Sequence, residues 1–149
     1  AERLSVDVRF IELMPIGFGT TMKRVSPDDI LAVLRESWPD LAETDEKRGN
    51  GPAHYYKSSG LKGRIGFIDA VSHKFCSECN RVRLTSTGML KPCLCYSDTT
   101  DLRALIRSGC KDEELKSALE RAVYQKPRAH CFDDGAQITE QHIMSQIGG

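Results

Sequence analysis

Four of the six cysteines, at positions 76, 79, 93 and 95, crowd into twenty residues; the others stand at 110 and 131. Cys76 and Cys79 are separated by two residues, the spacing at which a Cys-x-x-Cys knuckle brings two thiolates to one metal centre. Thirteen residues then separate Cys79 from Cys93. The intervening residues 80–84 and 89–94 read as a hairpin across Ser86-Thr87-Gly88. With a three-residue loop, position 79 faces 95 and position 81 faces 93; a bulge or slip brings Cys93 beside Cys79 instead. Spacing therefore leaves the third ligand open between Cys93 and Cys95.

Two metal chemistries fit this pattern. Zinc requires a fourth ligand, and Tyr96 stands where a second Cys-x-x-Cys would supply it, so Cys95 or His73 would have to serve. A [4Fe–4S] cluster on three thiolates keeps one iron open to a substrate nitrogen or oxygen. Disulfides are the third alternative. The crowding, and the lack of a charged and then apolar leader pattern in the opening residues, favour metal ligation in a reducing compartment.

Arginines flank the cysteines. On an extended strand Cys79, Arg81 and Arg83 share one face, and Asn80, Val82 and Leu84 the other. Two guanidinium groups beside a metal ligand repel each other unless an anion lies between them, and their planar forks suit phosphate oxygens. The plainer alternative is a solvated edge strand whose arginines pair with nearby acids. Overall charge does not supply the anion site: 21 basic and 21 acidic residues cancel, so a nonspecific nucleic-acid binder is not expected. With 40% hydrophobic residues a folded core is expected, and no apolar stretch reaches membrane-spanning length.

The elements that must position these residues are short. Val6 to Met14 alternates as a buried strand, stopped by Pro15, with Gly17-Phe18-Gly19 as a mobile loop beyond it. Ser26-Pro27-Asp28-Asp29 starts a helix with Ile30, Leu31 and Leu34 as its stripe, ending near Ser37. Residues 43–53 read as a charged loop; His54–Lys57 and Gly63–Ile68 read as strands joined by a Ser58-Ser59-Gly60 turn. Helices are expected over Thr100–Arg107, with Leu102, Leu105 and Ile106 inward, and over Asp112–Tyr124, burying Leu115, Leu119, Ala122 and Val123. The tail from Arg128 has no periodicity, and the bland expectation for its end is a frayed terminus. A strand pattern that begins so soon after Ala1 is read as part of a longer protein.

The runs Gly-Arg-Ile-Gly-Phe-Ile (63–68) and Phe-Cys-x-x-Cys-Asn-Arg-x-Arg-Leu (75–84), followed by Cys93, resemble the MoaA family. These are the radical S-adenosylmethionine GTP 3′,8-cyclases of molybdenum cofactor biosynthesis. Arg-Phe-Ile-Glu-Leu-Met-Pro (9–15), Gly-Pro-Ala-His-Tyr-Tyr (51–56) and Met-Ser-Gln-Ile-Gly-Gly (144–149) extend the resemblance along the chain. It implies that Cys76, Cys79 and Cys93 hold a [4Fe–4S] cluster whose open iron meets the guanine of GTP. Arg81, Val82 and Arg83 would engage the same nucleotide. Met14 matches the methionine at the S-adenosylmethionine site, Arg9 an arginine lining the catalytic cavity, and Gly148-Gly149 the tail that reaches into it. Cys95, Cys110 and Cys131 match no functional position, and buried or half-exposed thiols are the expectation for all three.

The resemblance further implies an α+β fold: residues 1–42 as the end of an incomplete (β/α) barrel, and residues 43–149 as a covering segment with hairpins and helices. The Cys-x-x-x-Cys-x-x-Cys motif of the family's other half, which binds the second [4Fe–4S] cluster and cleaves S-adenosylmethionine, does not occur in these 149 residues. The chain alone is thus expected to hold GTP without cyclising it to (8S)-3′,8-cyclo-7,8-dihydroguanosine 5′-triphosphate. Expected partners are GTP, the N-terminal radical half, a second copy in a homodimer, and the downstream cyclic pyranopterin monophosphate synthase, but neither nucleic acid nor membrane. The expected location is the cytoplasm, or the mitochondrion in a eukaryote.

Overall fold

The computed structural model describes residues 1–97 and 99–147, so Gly148 and Gly149 lie outside the described residues. The fold is α+β, and the chain divides into two compact units. One comprises Ala1–Met14 and Met22–Glu78; the other comprises Pro15–Thr21 and Cys79–Gly149.

The first unit is a four-stranded sheet with one helix. Strand β1 (Val8–Ile11) runs parallel to β4 (Ile65–Ile68), while β2 (Ala42–Thr44) and β3 (His54–Lys57) continue the sheet antiparallel, in the order β1-β4-β3-β2. The two strands joined through Ser58-Ser59-Gly60 pair as a hairpin, with Tyr55 opposite Gly66. Asp40 fixes that connection, accepting from Ser58 Oγ at 2.6 Å and Ser59 N–H at 2.8 Å. These bonds hold its carboxyl at a pKa of about 2. Helix α1 (Pro27–Ser37) begins as expected, with Ser26 Oγ accepting from Asp29 N–H at 3.1 Å. Ile30, Leu31 and Leu34 pack with Phe10 and Trp38 on the buried Leu41, Leu61, Ile65 and Phe67.

Two expectations are corrected here. Strand β1 is not buried: it spans only residues 8–11, pairs on one side with β4, and leaves Val8 38% and Ile11 62% exposed. Alternation reports which side chains share a face and does not reveal whether a neighbour covers that face. The charged loop after α1 contributes strand β2, whose Glu43 pairs with Tyr56; an edge strand accepts charged side chains because one face is wet.

The second unit contains a three-stranded antiparallel sheet, β5 (Arg83–Leu84), β6 (Met89–Lys91) and β7 (Thr100–Asp101), followed by α2 (Leu102–Arg107) and α3 (Asp112–Tyr124). Its small core is Leu90, Leu102 and Ala122, backed by Leu115 and Ala118. Ile106, Leu119 and Val123 are exposed, against expectation, because a hairpin this short covers only a narrow stripe of each helix. Gly17–Thr20 is a 3₁₀ turn and not an open loop, closed by Thr20 Oγ1 donating to Gly17 O at 2.8 Å.

Candidate functional site

The cysteine segment begins from a turn held by a buried acid. Glu12, directly after β1, accepts from Val71 N–H at 2.8 Å, Ser72 N–H at 2.7 Å and Ser72 Oγ at 2.5 Å. Arg24 lies 3.7 Å away. Burial pushes the Glu12 carboxyl up, but these bonds and the Arg24 charge outweigh it and the net shift is downward. Asp69, also buried, receives His73 Nδ1 at 3.1 Å and His54 Nε2 at 3.5 Å on one oxygen. His73, named above as an alternative zinc ligand, is oriented by this carboxylate.

Cys76 opens a 3₁₀ turn (Cys76–Glu78), with Glu78 N–H bonded to Phe75 O at 3.1 Å. Cys76, Cys79, Cys93 and Cys110 are half-buried. Cys79 opens the longer segment of the second unit. Its sulfur lies 3.3 Å from Lys126 Nζ, which also donates to Cys79 O at 2.7 Å and Arg81 O at 2.8 Å. The hairpin ladder begins only at Arg83, opposite Lys91, with Leu84 opposite Leu90. That register is the one expected for the three-residue loop, and continued outward it sets position 81 against 93. The ladder stops short of Cys79 and Arg81, so strand parity does not orient them. Arg81 and Val82 are exposed and Arg83 is half-buried.

Cys95 has a different role from the one expected. It forms a disulfide with Cys131, and both residues are buried; this corrects the expectation of separate thiols. Spacing pointed to no such pair, because the partners lie 36 residues apart and the tail carries no periodicity. The Cys95 carbonyl also accepts from Thr139 N–H at 3.2 Å and Glu140 N–H at 3.3 Å. Beside it, Lys91 pairs with Glu140; both side chains are buried, and Lys91 Nζ also donates to Tyr96 O at 2.8 Å. The tail is therefore tied to the segment after β6 as far as Glu140. Ile143 then lies against Gly17, where an added Cβ would come within 3.0 Å of the Ile143 Cα, and Ile147 is 2% exposed. The tail is thus packed at Ile143 and Ile147, while the expectation of a frayed end falls on Gly148-Gly149, outside the described residues.

Of the remaining candidates, Arg9 extends along Gly66 and sets its guanidinium 5.7 Å from the centre of the Tyr55 ring. Met14 is half-buried at the end of the first unit's opening segment. Among the described residues, no three His, Cys, Asp or Glu side chains form a group that could hold a metal ion. The donor set itself suits iron–sulfur chemistry: Cys76, Cys79 and Cys93 are half-buried thiols, and the sulfur of Cys79 already faces an N–H donor.

Residues 6–132 match the protein family described as Molybdenum Cofactor Synthesis C. The chain belongs to this family. It is 41% identical over 144 residues to a GTP 3′,8-cyclase of Clostridium perfringens, covering 97% of this chain and 45% of that protein. It is 42% identical over 147 residues to the GTP 3′,8-cyclase of Heliobacterium modesticaldum, covering 97% and 45%. For GTP 3′,8-cyclase 2 of Pseudomonas aeruginosa the identity is 39% over 149 residues, covering 97% and 44%. The chain thus spans a little under half the length of these curated relatives. Family membership places it in molybdenum cofactor synthesis. No helix among the described residues is long and apolar enough to cross a membrane.

Sequence reasoning missed three devices here: the Lys126 contacts, the Lys91–Glu140 pair and the Cys95–Cys131 link. Only Lys126 left a trace, as a lysine between the end of α3 and Pro127. The other two join residues more than thirty positions apart and carry no local signature.

Proposed function

We propose that this chain is the C-terminal, substrate-binding part of a GTP 3′,8-cyclase and that Cys76, Cys79 and Cys93 hold a [4Fe–4S] cluster against which GTP is bound. The observation that carries this reading is similarity over 97% of the chain to proteins named GTP 3′,8-cyclase. One feature supports it: the commitment of Cys95 to Cys131 favours Cys93 as the third thiolate.

When bound, such a cluster supplies an iron without a protein ligand as an anchor for a base nitrogen or oxygen. The chain's own groups do the rest. Arg81 and Arg83 bind the triphosphate with charge-assisted bonds, and Lys126 orients the backbone from which Arg81 projects. Arg9, steadied on Tyr55, and Met14 serve the cavity shared with the barrel half and its S-adenosylmethionine and second cluster. The family resemblance assigns Gly148-Gly149, which lie outside the described residues, to the same cavity. The exposed apolar residues of β1 support a preceding barrel strand as its neighbour. The catalysis is by positioning: the chain fixes the nucleotide while radical chemistry starts in the other half. The intact protein works in the cytoplasm, ahead of the synthase that converts its product.

Titration of GTP into the anaerobically reconstituted chain tests this reading. Arg81→Ala is expected to weaken binding by about 1.5–3 kcal/mol, the value of a charge-assisted bond. Unchanged affinity would remove Arg81 from the site, and absence of GTP binding by the unsubstituted chain would overturn the reading.

A further inference from the structure

We infer that Lys126 is a positioning residue for the metal-binding loop, holding Cys79 and Arg81 in place with a single ammonium group. The inference rests on the reading of Cys79 as a cluster ligand; the clamp itself is read from the three contacts of the ammonium.

A lysine ammonium has three protons and no acceptor. All three have partners here: Cys79 O at 2.7 Å, Arg81 O at 2.8 Å and Cys79 Sγ at 3.3 Å. A lysine just past a helix end ordinarily turns back to that helix's own terminal carbonyls. The end of α3 needs no such help. Gln125 N–H caps Arg121 O at 2.9 Å, and Lys126 N–H bonds Val123 O at 3.1 Å. The side chain therefore turns away from its own helix and reaches a loop 45 to 47 residues earlier. That loop precedes the ladder, which starts at Arg83, so Lys126 satisfies the carbonyls of 79 and 81 where no partner strand does. Pro127 stiffens the backbone immediately after the lysine.

Two consequences follow for the loaded site. An N–H···S bond to a ligating sulfur stabilises the more negatively charged state of a cluster, so its loss moves the reduction potential in the negative direction. The same ammonium fixes the carbonyl of Arg81, coupling the set of the ligand to the set of the phosphate-binding arginine.

The test compares the unsubstituted chain with Lys126→Met, Lys126→Gln and Lys126→Arg. In the metal-free chain, hydrogen exchange of the amides of residues 79–83 is expected to rise about tenfold in Lys126→Met and Lys126→Gln, as loss of an ordering bond implies. Thermal unfolding of each variant and exchange in β3 and β4 serve as controls for the fold. After anaerobic reconstitution, both neutral variants are expected to lose iron and sulfide faster to a chelator and to show a more negative potential, with partial rescue by Lys126→Arg. If exchange, retention and potential all match the unsubstituted chain, the inference is overturned while the cluster reading stands. If the unsubstituted chain takes up neither iron nor sulfide, the cluster reading falls and takes the inference with it, even where the exchange clamp is found.

Discussion

The sheet around Phe67 and the cysteine-bearing hairpin with its tail are stabilised by different means. Phe67 is 1% exposed and stacks on Phe10 at 5.4 Å, with His54 and Tyr56 on its other sides. Its region depends on apolar surface, and any side chain of similar volume contributes in proportion to its area. In the second region the core cluster is Leu90, Leu102 and Ala122, and individual partners add to it: Lys91 with Glu140, Cys95 with Cys131, and Lys126 with the loop at Cys79. A region built in this way loses more when one partner is removed than when both are. It can hold a reactive segment in one geometry without a large core beneath it.

The largest effects should expose that contrast. Phe67→Ala and Glu140→Ala are each expected to cost about 3–5 kcal/mol in urea unfolding, the first by leaving a cavity and the second by stranding the buried Lys91. Replacing both members of the pair, Lys91→Met with Glu140→Leu, is expected to recover most of the loss, since a well-packed apolar substitute for a buried ion pair is commonly neutral. No second substitution around Phe67 should do the same. If Glu140→Ala costs as little as a surface substitution, the two regions do not differ in the way described.

Acid sharpens the comparison at an intermediate size. Burial raises the Glu140 carboxyl, but the bonds from Lys91 and His142 outweigh it and the net shift is downward, as for Glu12. A carboxyl lowered in the folded state contributes stability above its unfolded value of about 4.3 and loses it as pH falls through the folded value. Urea midpoints measured from neutral pH downward should therefore drop below that point, and Glu140→Gln should flatten the drop. A midpoint that rises on acidification would contradict the assignment.

The smallest effect concerns the turn against the tail. Gly17 has φ +54° with the Ile143 backbone 3.0 Å from where a Cβ would lie, so Gly17→Ala should cost about 1–2 kcal/mol. Thermal unfolding checks this, and Gly49→Ala is the control: it shares a positive φ but has open space around it. Equal losses at the two positions would mean that the approach of Ile143 adds nothing.

How much of this was legible in the sequence follows the same division. Ser26 as a cap, the inward face of α1 and the pairing of β3 with β4 were all read correctly, because capping and short-range periodicity are local. The hairpin register was legible as well, since Ser86-Thr87-Gly88 sets the loop length. The exposure of β1, Leu119 and Val123 was not, because periodicity identifies an apolar face without identifying what covers it. The partners of Cys95, Lys91 and Lys126 were not legible either, because each bond joins segments far apart in the chain and depends on the tertiary path of the tail. The cysteine spacing indicated metal chemistry while leaving two candidates for the third thiolate. In the reading proposed above, the pairing of Cys95 with Cys131 favours Cys93.

The most direct test of the account is an assay of iron, acid-labile sulfide and zinc on the chain after anaerobic reconstitution, repeated with Cys76→Ala, Cys79→Ala, Cys93→Ala and Cys95→Ala. The account predicts about four iron and four sulfide per chain, as a [4Fe–4S] cluster requires, lost in the first three variants and retained in Cys95→Ala. Stoichiometric zinc without sulfide, or a cluster that survives Cys93→Ala and disappears in Cys95→Ala, would contradict it.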